Sequence, residues 1–163
     1  MSDISQPVRA AALGWGVKQS FRSYVEAMGG TVALSGGAER DAEGAFLFAP
    51  KDGAALTLDA DGRPQGGEAL FSGEVKFEAH GGMLKVSVTD PGVSLEPAGG
   101  ALTVADPWAP GKRMQIAKLD MAAAQVEGGE VVLPAAATLD GMQLLGDHYP
   151  PGTPLDPVRV KLA

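Results

Sequence analysis

"GEVKFEAHGGMLKVSVTDPGVSL", residues 73–95, is the stretch on which the fold class turns. Val75, Phe77 and Ala79 alternate with Glu74, Lys76 and Glu78, so a strand here buries one face and wets the other. Gly81-Gly82 then reads as a tight hairpin turn, and alternation resumes from Met83 to Thr89. His80 therefore falls at a hairpin tip or strand end.

The same punctuation extends in both directions. "TVALSG", "GAFLFAP" and "ALTLDADG" upstream, and "GGALTVADPW" and "KRMQIAKLDM" downstream, are short apolar runs broken by Gly, Pro and Asp. "EVVLPAAATLDGMQLLG" is expected to form a strand followed by a short helix. The tail "HYPPGTPLDPVRVKLA" opens as a proline-stiffened loop and closes on a strand, Val158–Leu162.

Only the opening of the chain changes period. Leu13, Val17, Phe21, Tyr24, Val25 and Met28 recur at three- and four-residue spacings, which predicts a helix from about Ala11 to Met28. Gly29-Gly30 supplies its left-handed stop. Ser20 and Tyr24 are four apart and share one face of that helix. One helix followed by many short strands points to a sandwich or barrel. The expected architecture is mainly β, an antiparallel β-sandwich with one N-terminal helix and a short helix later. It is expected to form one domain over residues 1–163, with its core from about 11 to 162.

Composition narrows the function. The formal charge of −7 opposes nucleic-acid binding, which needs clustered Lys and Arg. The absence of cysteine removes disulfides, thiolate metal sites and cysteine nucleophiles. No apolar run of about 18 residues is present to span a bilayer. The start, "MSDISQPVRAAALGWG", lacks a basic segment followed by an apolar core, so the expected location is cytoplasmic.

Motifs of catalysis are missing. "ALSGGA" lacks the G-x-S-x-G spacing, and no P-loop or dinucleotide glycine pattern occurs. Two histidines exclude a three-histidine zinc centre. Asp59 and Asp61 in "LDADGRP" resemble part of a calcium loop, but the downstream glutamate is absent, and a solvated turn is the default. What remains is both tyrosines and both histidines of the chain: Tyr24, His80, His148 and Tyr149. Each has an ordinary explanation, in the core, a turn or a loop.

Three blocks carry a resemblance: "LGWGVKQSFRSYV", "GEVKFEAHGGMLKVSVTDPGVSL" and "YPPGTPLDPVRVKL". In order and spacing they are similar to the HtaA domain family, over nearly the whole chain from about Leu13 to Leu162. HtaA domains are haem-binding β-sandwich modules of bacterial haem uptake, usually exported. The resemblance implies that Tyr24 ligates ferric haem iron and that His80 hydrogen-bonds the tyrosine oxygen. It also implies that Ser20 and Tyr149 contact the porphyrin or its propionates. His148 stands where family members often carry a second aromatic; stacking, ligation and proton donation all stay open for it. The implied partners are haem and the proteins that deliver or receive it, and self-association of the chain stays open.

The chemistry is coherent. A phenol with a reference pKa of about 10 is a poor ligand at neutral pH until its anion is stabilised. Ferric iron does most of this and a hydrogen bond to the phenolate oxygen adds to it. Such an oxygen favours Fe(III) over Fe(II). Two other readings use the same residues differently. One is an enzyme in which Tyr24 and His80 form an acid–base pair acting on a small aromatic or carbonyl compound. The other is an interaction module without a small ligand.

Overall fold

The computed structural model describes residues 6–163. Met1–Ser5, the start of the segment read for an export signal, lie outside them.

The chain begins with β1 (Gln6–Trp15), α1 (Gln19–Ala27), β2 (Thr31–Ser35), β3 (Glu39–Arg40), β4 (Phe46–Pro50), β5 (Ala55–Leu58) and β6 (Pro64–Ser72). It continues with β7 (Glu74–Ala79), a 3₁₀ turn at His80–Gly82, β8 (Leu84–Thr89), β9 (Gly92–Glu96), β10 (Gly99–Ala105) and β11 (Arg113–Leu119). The last elements are β12 (Gln125–Glu127), β13 (Glu130–Ala137), α2 (Leu139–Leu144) and β14 (Pro154–Leu162).

Eight of these strands close on themselves. Antiparallel pairings run β13–β11–β10–β9–β6–β5–β1–β14 and return from β14 to β13. The expected sandwich is therefore corrected to a closed barrel, with β4, β3 and β12 attached to it and a separate sheet β2-β7-β8. The closing pair is β1 with β14, which matches Leu13 to Val160 across almost the whole chain. Closure leaves no free edge within the ring and puts alternate side chains of every strand inside it. The short later helix is present as α2.

The opening helix is shorter than its periodicity implied. Residues up to Trp15 are a strand paired on both sides, to β14 and to β4 and β5, with Leu13 and Trp15 buried. Alanine and leucine suit either structure locally; two flanking strands decide the matter. The Gly29-Gly30 stop is as expected. The Gly29 N–H donates to the Glu26 carbonyl (3.1 Å) and the Gly30 N–H to the Val25 carbonyl (2.8 Å), the double bond of a Schellman end. Gly30 also passes so close to β7 that a Cβ there would meet the Glu78 carbonyl oxygen.

α1, β2, β7 and β8 form a layer over the ring. The chain leaves or rejoins the ring at Val17, Gly36, Gly73 and Asp90, and all four have positive φ, 66°, 66°, 137° and 46°. Asp90 ties two of these crossings together. Its N–H donates to the Gly73 carbonyl (2.8 Å) and its Oδ1 accepts from the Gly73 N–H (3.1 Å). Phe77 on β7 joins layer to ring, edge-on to Phe21 of α1 (5.0 Å between centroids) and to Phe46 of β4 (5.7 Å). All three are buried. On β7 the alternation read from the sequence holds: Val75, Phe77 and Ala79 face the core, and Lys76 and Glu78 face solvent.

Candidate functional site

Three separate segments converge on one face. α1 presents Ser20 and Tyr24 outward while Phe21 and Val25 anchor it in the core. The β7–β8 tip presents His80, which adopts φ 55°, a conformation in which His is among the better tolerated side chains. α2 presents the third segment. Thr138 caps it by accepting the Gly141 N–H at 3.0 Å, and its end repeats the Schellman pattern, Gly146 N–H to the Gln143 carbonyl and Asp147 N–H to the Met142 carbonyl. That stop launches His148 and Tyr149 toward α1, and Pro150 and Pro151 stiffen the turn beyond them.

The Tyr24 hydroxyl oxygen lies 2.5 Å from His80 Nε2, across 56 residues of chain. The direction of this bond depends on the imidazole tautomer. With the proton on Nδ1, the phenol O–H donates to Nε2; against a phenolate, Nε2–H donates instead. The His148 ring flanks Tyr24 on another side, 6.5 Å between centroids and tilted by 53°. Tyr24 is 38% exposed.

Tyr149 is set differently. It packs half-buried against the core, edge-on to Phe21 at 6.1 Å, with Lys18 Nζ 5.8 Å above its ring. Burial pushes its phenol above the ordinary 10.0; Ser20 as a polar neighbour pulls it partly back, and Tyr24 adds to the rise. Tyr149 is thus harder to ionise than a free phenol. A raised folded-state value means that stability is fully present below the unfolded value near 10.0 and is lost as pH climbs through the raised one. Urea unfolding between about pH 9 and 12 should show that alkaline loss, and Tyr149→Phe should flatten it.

Ser20, Tyr24, His80, His148 and Tyr149 thus lie at one surface. Lys18 joins them, and nothing in the sequence marks it beyond a lysine at a helix start. The Asp59 turn is a closed local structure: Oδ1 accepts the backbone N–H groups of Asp61 and Arg63, and Oδ2 accepts from the Gln65 side chain. No group of three or more His, Cys, Asp or Glu placed to hold a metal ion occurs among the described residues. No helix among them is long and apolar enough to cross a membrane. A cavity of about 980 Å³ lies on the outer face of the ring, lined in part by Ser94, Ala101, Lys118 and Ala136, and none of the five candidate residues borders it. The candidate site is an open face rather than an enclosed chamber.

The family model described as Htaa matches residues 10–161. The chain belongs to the HtaA family. Among solved structures, this HtaA domain is similar to the C-terminal domain of HtaA from Corynebacterium glutamicum, with 26% identity, a TM-score of 0.72, and 99% of this chain and 100% of that one covered. It is similar to the heme binding protein HtaB from the same organism at 17% identity, with a TM-score of 0.68 over 99% and 96% of the two chains. It is also similar to a domain-swapped dimer of a histidine-to-alanine variant of the HtaA C-terminal domain, at 27% identity and a TM-score of 0.62, covering 90% and 93%. No curated protein matches this chain.

Proposed function

We propose that this HtaA domain binds ferric haem through the phenolate of Tyr24, in the service of haem trafficking, uptake or storage. The observation that carries this reading is the 2.5 Å contact between the Tyr24 oxygen and His80 Nε2 on an exposed face. The residues suit the group. Tyr24 offers a hard oxygen donor, and His80 can take up the phenolic proton at Nε2 and donate it back as a hydrogen bond to the anion. Burial makes Tyr149 harder to ionise, which leaves its O–H and the Ser20 hydroxyl for propionate or porphyrin contact. His148 lies beside Tyr24 as a further flat surface or nitrogen donor. Haem itself supplies the iron that makes a phenol a ligand at neutral pH. HtaB, of the same fold, is a heme binding protein. An acid–base enzyme built on Tyr24 and His80 would want the pair inside a chamber that excludes water, and the pair is exposed instead.

Hemin titration followed by absorbance tests the reading. A saturable complex with the weak charge-transfer bands of high-spin ferric phenolate is expected. His80→Ala should weaken it by about 10–100-fold, the range for loss of a hydrogen bond to a metal ligand. Its melting temperature should fall by only a few degrees, because His80 is exposed but its φ of 55° suits alanine less well. A His80→Ala protein that binds hemin as tightly as the parent would contradict the role given to that side chain.

A further inference from the structure

α1 carries Ser20 and Tyr24, yet it has no cap of its own. Its N-cap residue is Lys18, whose side chain makes no capping bond, and its first turn has no acidic residue. The missing groups come from β14. Asp156 Oδ1 accepts the Gln19 N–H at 3.1 Å, and Asp156 Oδ2 pairs with Arg22 Nη1 at 2.7 Å. Arg22 Nη1 also donates to the Gly16 carbonyl at 2.7 Å. The backbone of Asp156 completes the clasp: its N–H donates to the Val17 carbonyl (2.9 Å) and its carbonyl accepts from Trp15 Nε1 (2.8 Å).

Every residue of the elbow between β1 and α1 except Lys18 thus meets Asp156 or its ion-pair partner, and Lys18 Nζ donates to the Pro154 carbonyl two residues away (2.8 Å). The elbow is strained as well as held. Val17 is buried at φ 66°, an unfavourable region for a β-branched residue, which persists only where its surroundings dictate it. A Cβ on Gly16 would displace both Arg22 Nη1 and Asp156 Oδ2, so glycine leaves room for the ion pair to close over the backbone. The pair is largely sheltered, with side-chain exposures of 12% and 27%.

β14 also ends the segment that carries Tyr149. The Thr153 N–H and hydroxyl both donate to the Pro150 carbonyl, at 3.0 and 2.6 Å, which makes the stretch between Tyr149 and β14 a tight turn. The strand just beyond Tyr149 therefore holds the helix that carries Tyr24. We propose that Asp156 is a positioning residue for the haem site, setting the direction of α1 and with it the placement of Tyr24 against Tyr149 and His80. The role rests on the haem reading for its consequence, not for its geometry.

Asp156→Asn is the informative variant, because an amide oxygen can still cap Gln19 while the ion pair is lost; Asp156→Ala removes both. For the hemin complex, transfer to excess apomyoglobin should run about 10-fold faster for Asp156→Asn and faster again for Asp156→Ala, with the ferric phenolate bands weakened in both. Leu133→Ala, a truncation in the ring core, should lower the melting temperature without changing either readout. The proposal is overturned if the Asp156 variants release hemin at the parental rate with parental bands, or if Leu133→Ala speeds release equally. Should Asp156→Ala not fold, Asp156→Asn alone decides. An apo measurement separates this role from the haem reading. The ring resonances of Tyr24 and His80 should shift in Asp156→Asn without any haem, and unchanged resonances overturn the positioning role. A parent protein that forms no phenolate complex would count against haem and leave that apo comparison to decide.

Discussion

Tyr24→Phe should leave the fold intact and lower hemin affinity by about a thousandfold, equivalent to about 4 kcal/mol. The substitution removes one oxygen atom. That oxygen bonds only to His80 among the described residues, at a surface position, so the effect on stability should stay within about 0.5 kcal/mol. In the complex the same atom would be the ligand, and nothing nearby replaces it in kind. Tyr149 is the nearest chemical substitute, but burial makes it harder to ionise. Titration by absorbance should show the phenolate charge-transfer bands disappear while the melting temperature holds. Parental affinity with parental bands in Tyr24→Phe would remove the basis of the assignment.

Phe77→Ala should have the largest effect on stability, about 3–5 kcal/mol, measured as a shift in the urea midpoint at constant m-value. The Phe77 side chain is fully buried and sits edge-on between Phe21 and Phe46, joining the helix, the three-stranded sheet and β4, which is attached to the circuit of eight strands. Its removal opens a cavity where three elements meet, and relaxation there would have to move α1. Hemin affinity should fall too, since α1 carries Tyr24. Destabilisation below about 1.5 kcal/mol would mean that the layer can settle into the gap, contrary to close packing at this junction.

An element is legible in the sequence to the extent that its cause is local. The β7 alternation was plain because one face of that strand is wet and the other dry over six residues. The Gly29-Gly30 stop was plain because a left-handed residue and then a close approach to β7 demand glycine. The helix start was misplaced because residues 10–13, Ala-Ala-Ala-Leu, satisfy a helical stripe as easily as a strand. What makes them a strand is pairing to Phe48, Val160 and Leu162, far along the chain. Ring closure was hidden for the same reason: it depends on the register of β1 against β14, and no local pattern encodes it.

The site divides along the same line. Tyr24, His80, His148 and Tyr149 stood out because the chain has so few residues of their kinds, and three segments bring them to one face. Lys18, Arg22 and Asp156 did not stand out. Charged residues at a helix start and in a strand are ordinary until the fold sets one aspartate against Trp15, Val17, Gln19 and Arg22 together.

The four positive-φ crossings bear on how such a protein can diverge. The layer above the ring is inserted through Val17, Gly36, Gly73 and Asp90 and contributes no strand to the circuit of eight. Substitutions on its outer surface, at the histidine tip or along the exposed side of the helix, therefore leave the register of the circuit untouched. Descendants of this scaffold can change the histidine tip and the outer helix face while the strand pairing of the cylinder below is inherited unchanged.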